Sequence, residues 1–311
     1  MWNTPDTLPL PGIFSRRLDT LSQSMMHVPQ MPFDFSAPRG EAALIPARSV
    51  SWRIFKNPIA LFIGGVTAVL MEMAHPKVRD GVWQHSGFRS DPLTRLRRTG
   101  LAAMVTVYGP RTRAEAMIGG VVRMHEKVSG ETTEGQPYRA NDQDLLDWVQ
   151  ATAGFGFMEA YHAFVRPLSE RERDAVFAEA LPAARLYGAV GAPGSQQELS
   201  YLFKTVGPKL VLSPIVGEFL DIMSKVKALP AIGQPLQKPL LKASVSLLPP
   251  WLRTRLELGS EWTPSALDRL LVKTAAGSIE RIVLPSSPAV QSCRRLGLAD
   301  DYLYRRQTAG Q

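Results

Sequence analysis

The stretch from Thr112 to Gly130, TRAEAMIGGVVRMHEKVSG, has the pattern of an amphipathic helix. Thr112 and Glu115 have the spacing of a capping box at its start, and Gly130 favours a stop. Side chains at intervals of three and four residues fall on one helical stripe. The stripe consists of Met117, Ile118, Val121, Val122, His125 and Val128. The sequence therefore predicts a helix from Thr112 to about Val128 with a histidine on its apolar face.

A second helix is predicted just before this one. Asp91 can cap the first free N–H groups of a helix, and Pro92 at the first helical position needs no donor. The helix should run to about Tyr108. Three polar residues at positions i, i+3 and i+4 share one face of this helix: Arg95, Arg98 and Thr99.

Helical patterns continue on both sides of this pair. The apolar run Pro58–Met73 predicts a buried helix that stops before Pro76, and residues 81–92 predict a loop. Asn141 can cap a helix through about Phe164, whose small residues permit close packing. Further starts and runs are predicted at Ser169–Glu172, Ser195–Glu198, 214–228, 235–248 and 263–282.

These patterns predict an all-α fold, because alternating strand signals are nearly absent and no repeat is visible. Residues 1–50 are rich in proline and small polar residues, and they predict an extended N-terminal arm. Residues 51–311 should form a single compact multi-helix domain. The composition, 45% hydrophobic and 21% charged over 311 residues, is that of a globular protein with a large core.

The charge and the single cysteine limit the class of function. The net charge is +8 and the pI is near 9.7, yet the basic residues are scattered among acids, so no nucleic-acid partner is expected. Cys293 alone can form no intrachain disulfide and no cysteine-rich metal site. The chain start shows no secretory signal, and a cytoplasmic location is expected. A peripheral membrane contact through Pro58–Met73 remains an alternative for that run.

His125 needs a polar partner, because a buried imidazole among aliphatic side chains loses its hydrogen bonds to water. A haem iron is one such partner, since the porphyrin supplies four nitrogens and the protein supplies one. Haem propionates would need cationic groups, for which Arg95, Arg98 and Arg123 are candidates. A histidine hydrogen-bonded within the core is the alternative that the residues alone leave open.

An ordered set of motifs between Ala74 and Phe164 decides between these alternatives. The motifs are AHPKVRDGVWQHSGFRSDPLTRLRRT, VVRMHEKVSG and PYRANDQDLLDWVQAT, with a weaker echo in LLPPWLRTRLELGSEW. Together they resemble the central region of the rubber oxygenase (latex clearing protein) and mpaB-type oxygenase family. The resemblance implies a b-type haem whose iron is held by His125, with Val121 and Val122 beside the ring.

The same resemblance implies roles for polar residues. The family's R-x-x-K/R-T face matches Arg95, Arg98 and Thr99, which are the candidate catalytic residues. Arg98 stands where the rubber oxygenase has a lysine that can cap the iron, and a guanidinium does not easily ligate. The sixth iron position is therefore expected to be open or water-bound. Arg123 stands two residues before the histidine, which departs from the family's R-x-x-H spacing.

Other positions are left open by the resemblance. His85 lies in the family's loop motif and is either a haem-side residue or a structural one. His75, before a proline, favours a structural role. Where many relatives carry a histidine after Trp148-Val149, this chain has Gln150, which argues against a general base there.

The implied function is oxidation of a small apolar, unsaturated organic or lipid-like substrate with dioxygen. A non-catalytic haem-binding or sensing protein, or a relative that has lost haem, is the alternative.

Overall fold

The computed structural model describes residues 31–305 together with 7, 8, 19, 20 and 28. Within these residues the chain is mostly helical, with one antiparallel hairpin of strands β1 (Ser129–Glu131) and β2 (Pro137–Arg139). The predicted all-α class is confirmed. The α-helices in chain order are α1 (Val50–Phe55), α2 (Pro58–Met73), α3 (Pro76–His85), α4 (Pro92–Tyr108), α5 (Arg111–His125), α6 (Gln143–Phe164), α7 (Glu170–Tyr187), α8 (Gln196–Val206), α9 (Pro214–Lys225), α10 (Gln237–Ser246), α11 (Pro250–Arg255), α12 (Ala266–Ile279) and α13 (Pro288–Arg295).

The central contact of the fold is between helices α2 and α6, and α2 also packs against α10 and α12. Gly64 on α2 faces Gly156 on α6. A methyl group added at Gly64 would lie 2.7 Å from the Gly156 carbonyl oxygen and 2.7 Å from the Phe157 Cα atom. Because both atoms belong to the backbone, no side chain can fit without moving a helix. The close packing that the small residues of α6 predict is confirmed.

Helix α2 is the buried helix that the apolar run 58–73 predicts. Its side chains Ile63, Leu70 and Met71 have no exposed surface. The Thr67 hydroxyl donates to the Ser244 carbonyl oxygen at 3.0 Å and so ties α2 to α10. These side chains lie in the core. Among the described residues, no single helix is long and apolar enough to cross a membrane.

Several predicted helix starts are confirmed. The Asp91 carboxylate accepts from the Thr94 N–H at 3.2 Å, and Pro92 occupies the first turn of α4. Ser169 and Glu172 form a complete capping box at the start of α7. Ser195 caps α8 through the Glu198 N–H at 3.2 Å, although the Glu198 carboxylate binds the Gly194 N–H instead of completing a box.

Two predicted caps are wrong. The predicted capping box at Thr112 does not form, because the Thr112 N–H donates to the Glu41 carboxylate at 2.6 Å and Glu115 lies near Arg111. A contact from a distant part of the chain thus replaces the local one. At the start of α6, Asp142 and not Asn141 is the N-cap residue.

Two predicted boundaries are also wrong. The segment predicted as a loop before Asp91 is helical as far as His85, since Pro76 opens helix α3 as its first residue. Arg79 donates to the buried Asp80 carboxylate at 2.7 Å, which also accepts from the Thr133 N–H at 2.9 Å, so α3 is fixed to the hairpin turn. Helix α5 ends at His125, three residues earlier than predicted.

Part of the predicted N-terminal arm packs into the body. Phe35, Leu44 and Ile45 are buried, and the Arg295 guanidinium donates to the Phe35 carbonyl oxygen at 2.6 Å. Most of residues 1–30 lie outside the described residues. The division of the chain at residue 50 stays a prediction.

We expect Gly64→Ala to lower the free energy of unfolding by about 1–3 kcal/mol, because the added methyl group overpacks the α2–α6 contact. Urea unfolding followed by far-UV circular dichroism measures the change. The matched control is Gly217→Ala on the exposed side of α9, where an added Cβ meets no atom within 4 Å. This control should be stabilised by about 0.5–1 kcal/mol. Equal stability changes in both variants would contradict the packing argument.

Candidate functional site

His125 is the last residue of helix α5, and its ring is half-buried. The Nδ1 atom is buried and has no hydrogen-bond partner. Burial lowers the pKa of His125, the charge of Arg95 lowers it further, and the Asn141 side chain opposes both effects. The imidazole is therefore held in its neutral form at neutral pH, which is the form that can donate a nitrogen lone pair.

Apolar side chains of helix α5 lie beside this imidazole. Val121 and Val122 stand four and three residues before His125, so they share its face of the helix. Both are half-buried, whereas Ile118, one turn further back, is buried in the core. The predicted arrangement of a histidine on an apolar face is confirmed. This face provides hydrocarbon surface beside the imidazole of His125.

Arg95 and Thr99 are brought together on helix α4 at the predicted i, i+4 spacing. The Arg95 guanidinium donates to the Thr99 hydroxyl, and the hydroxyl donates to the Arg95 carbonyl oxygen at 2.9 Å. Arg95 is half-buried, and its charge affects both His125 and Glu72. A guanidinium keeps its charge under these conditions. The site therefore contains a fixed positive charge near the imidazole.

Glu72, near the end of helix α2, is the acidic group of this site. Burial raises the pKa of Glu72 to about 7, while the charge of Arg95 and a hydrogen bond from Thr152 work in the opposite direction. The Thr152 hydroxyl on α6 lies 3.3 Å from the Glu72 carboxylate and 2.9 Å from the Val149 carbonyl oxygen. One hydroxyl proton cannot serve both acceptors fully, which leaves the Glu72 anion poorly solvated.

Glu72 and Arg95 are coupled through charge without a direct ion pair. Burial lowers the pKa of Arg95, and Glu72 raises it. Four helices thus contribute to one group of side chains: Glu72 from α2, Arg95 from α4, His125 from α5 and Thr152 from α6. The group combines an acid that titrates near neutrality, a permanent cation and a neutral imidazole. Such a set can hold an anionic group, move a proton at Glu72 and offer one nitrogen ligand.

The remaining predicted site residues are less closely associated with this group. Arg98 and Arg123 are exposed, and Arg123 folds back along α5, with Nη1 3.3 Å from where a Cβ on Gly119 would lie. His85 is exposed at the end of α3, with its ring centroid 6.4 Å from that of Tyr138. The structure does not bring His85 into contact with His125. Roles for these three residues stay predictions.

His75 lies outside the site and is buried at the start of helix α3. Its N–H donates to the Glu72 carbonyl oxygen at 3.0 Å, and its side chain makes no cap hydrogen bond. Burial lowers the pKa of His75 to about 4, so the ring is neutral. The favoured structural role agrees with this position.

Sequence reasoning missed Glu72 and the role of Thr152 beside it, and it placed Asn141 at the cap of α6, where Asp142 stands. One signal for Glu72 was present, since it is the only charged residue in the run Pro58–Met73. A charge in a buried helix requires a partner, and that partner has to come from another element. The pairing with Thr152 and Arg95 depends on the packing of three helices, which the sequence does not show.

The donor set fits a cofactor that brings its own ligands. Within residues 31–305 and the few described before them, no three His, Cys, Asp or Glu side chains gather to hold a metal ion by themselves. A single imidazole with an apolar flank and nearby cations matches a haem, which needs one protein nitrogen, hydrocarbon contact and partners for its propionates. The buried Nδ1 atom of His125 has no hydrogen-bond partner, whereas a ligating imidazole commonly donates its second ring N–H to an oxygen.

The fold and the site define a helical protein in which three half-buried groups from three helices interact: the His125 imidazole, the Glu72 carboxyl and the Arg95 guanidinium. The chain belongs to the family described as ER-bound oxygenase mpaB/B'/rubber oxygenase, whose catalytic domain matches residues 52–280. Haem dependence is a property of this family, and the match supports an oxygenase-type enzyme. No curated protein and no solved structure gives a significant match.

Glu72 should make the stability of the cofactor-free protein depend on pH. Its carboxyl ionises near 4.5 in the unfolded chain and near 7 in the folded protein. Between these values the folded state binds more protons, so the free energy of unfolding falls as pH rises. The contribution of Glu72 to the free energy of unfolding is fully present below pH 4.5 and lost above pH 7. It amounts to ~3 kcal/mol.

Urea unfolding of the wild type and Glu72→Gln between pH 4.5 and 8 measures this effect. The variant should show a smaller loss of stability with rising pH, and it should be more stable than the wild type at pH 8. The matched control Glu115→Gln removes an exposed carboxyl and should keep the wild-type slope. A wild-type slope in Glu72→Gln would show that Glu72 titrates normally.

Proposed function

We propose that the chain is a haem b-dependent oxygenase that acts with dioxygen on a small apolar, unsaturated organic or lipid-like substrate. The observation that carries the proposal is the neutral, half-buried imidazole of His125, which shares its helix face with Val121 and Val122 and lies near the charge of Arg95. Membership of the oxygenase family supports the reaction class. A cytoplasmic location belongs to the same proposal, in keeping with a single cysteine, Cys293, that is buried and free.

The residues that would hold the haem follow from the site. His125 would ligate the iron, and Val121 and Val122 would contact the porphyrin face. Arg95, Arg98, Arg123 and His85 are the candidates for the propionates. When bound, a haem supplies redox chemistry with dioxygen that protein side chains cannot perform.

The protein residues would set the polarity and the proton supply of the reaction. Arg95 provides a permanent positive charge, which stabilises negative charge that develops nearby during a reaction. Thr99 orients the Arg95 guanidinium through its hydroxyl. Glu72 can accept or release a proton near neutral pH, because burial raises its pKa to about 7. The half-buried Val121 and Val122 on the helix face of His125 favour an apolar substrate.

Haem binding is tested with purified full-length protein reconstituted with haem b. We expect a Soret band in the wild type and its loss in His125→Gly, with recovery on addition of free imidazole. The matched control is His162→Gln, since the His162 ring accepts a backbone N–H from Leu168 at 3.0 Å and serves the α6–α7 connection. A colourless wild type would identify a haem-free relative, and an unchanged band in His125→Gly would reject His125 as the ligand.

Turnover separates an oxygenase from a non-catalytic haem-binding or sensing protein. An oxygen electrode with an olefinic lipid as substrate should record oxygen uptake by the haem-loaded wild type. Arg95→Met should lower kcat by about 10²-fold at equal haem content, because the charge that stabilises the reaction is lost. A haem-loaded protein that consumes no oxygen with a series of olefins would support the sensing alternative. Equal kcat in Arg95→Met would reject the catalytic role of Arg95.

A further inference from the structure

Asn141 lies between the hairpin and helix α6, beside the end of helix α5. The Ala140 N–H donates to the Val128 carbonyl oxygen at 2.9 Å, which brings the chain back to the segment that follows His125. The Asn141 Nδ2 atom then donates to the Val122 carbonyl oxygen at 3.2 Å. Asn141 is therefore fixed to the last turn of the helix that carries the candidate iron ligand.

The contact with Val122 decides which way the Asn141 amide points. A backbone carbonyl oxygen only accepts hydrogen bonds, so the amide nitrogen and not the amide oxygen must face it. The Oδ1 atom is then directed away from Val122. Oδ1 is buried and has no hydrogen-bond donor. A buried acceptor without a donor costs about 1–3 kcal/mol, so a donor is expected close by.

His125 interacts with Asn141 and also needs a partner. Its Nδ1 atom is buried and unpartnered as well, and Asn141 acts on the imidazole directly. The Asn141 side chain raises the pKa of His125 as a hydrogen-bonding neighbour, while the two buried atoms stay short of full hydrogen-bond geometry. One contact, from a protonated Nδ1 of His125 to Oδ1 of Asn141, would satisfy both buried atoms at once.

We propose that Asn141 is a positioning residue whose Oδ1 atom accepts a hydrogen bond from the Nδ1–H of His125 and thereby selects the tautomer with an unprotonated Nε2. The hydrogen bond itself does not require haem, but its importance rests on the proposed function, because the free Nε2 lone pair is the one that would ligate haem iron. Iron-ligating histidines commonly donate their second nitrogen to an oxygen, which fixes the ring and raises its basicity. A neutral amide oxygen would do so less strongly than a carboxylate.

A merely structural role would act through the other end of the Asn141 amide. Asn141 is not the cap of α6, since Asp142 is the N-cap residue. Its structural contact is the bond from Nδ2 to Val122. Two substitutions separate the two ends. Asn141→Asp keeps an acceptor at Oδ1 and loses the Nδ2 donor, whereas Asn141→Leu loses both groups.

The first measurement needs no haem. Nitrogen-15 chemical shifts of His125 in the full-length cofactor-free protein report which ring nitrogen carries the proton. We expect Nδ1–H in the wild type and in Asn141→Asp, and a mixture or Nε2–H in Asn141→Leu. An Nε2–H tautomer in the wild type, or equal tautomer ratios in the wild type and Asn141→Leu, would overturn the inference.

The second measurement uses the haem-loaded proteins. Asn141→Leu should lower haem affinity by about 10–100-fold, as is typical when an outer hydrogen-bond partner is removed. Its iron–histidine stretching band in resonance Raman spectra should move to lower frequency, while that of Asn141→Asp should stay or rise. Equal shifts in both variants would show that only the Val122 contact matters. An absent Soret band together with an Nδ1–H tautomer would reject the proposed function and leave the Asn141 contact standing.

Discussion

The close approach of helices α2 and α6 at Gly64 and Gly156 is the constraint on which the site depends. Glu72 lies just over two turns after Gly64, and Thr152 lies one turn before Gly156, so the helices run antiparallel and their separation is set at the glycines. That separation brings the Thr152 hydroxyl to 3.3 Å from the Glu72 carboxylate. A wider spacing would admit water to the carboxyl and remove the cause of its raised pKa. Packing and acid–base chemistry are thus parts of one arrangement.

The ionisable groups of the site differ in how burial affects them. Burial favours the neutral forms of Glu72 and His125, because a charge in a low-dielectric interior loses its hydration. Arg95 cannot give up its proton under the same conditions, so it remains the fixed charge. Its field opposes protonation of the imidazole and favours ionisation of the carboxyl. The result is a neutral imidazole next to a fixed cation.

The sequence predicts most of the local structure because local signals determine it. Asp91-Pro92 begins α4 where predicted, and the i, i+4 spacing on that helix places Arg95 next to Thr99. The apolar stripe of α5 likewise lies beside His125. In each case the residues that make the contact are less than two turns apart, so helical geometry alone brings them together.

The predictions failed where a contact between distant residues replaced a local one. Thr112 has a good capping sequence, yet its N–H binds Glu41, seventy-one residues away. The segment before His85 has a loop composition, but the buried pair of Arg79 and Asp80 holds it as a helix against the hairpin turn. Glu72 was visible as a lone charge in an apolar run, but its partners come from two other helices.

The early end of helix α5 and the overlooked hairpin are one feature, and that feature completes the site. A helix continued to Val128 would carry the chain away from His125 along the helix axis. Instead the chain turns into β1 and β2 and returns to the end of α5. The Val122 carbonyl oxygen, which already accepts from the Glu126 N–H at 3.0 Å, therefore also accepts from Asn141. A carbonyl oxygen has two lone pairs, so the Val122 carbonyl keeps its helical partner and also orients the Asn141 amide. The hairpin and the residues after it therefore bring a polar group, the Asn141 amide, next to the imidazole of His125.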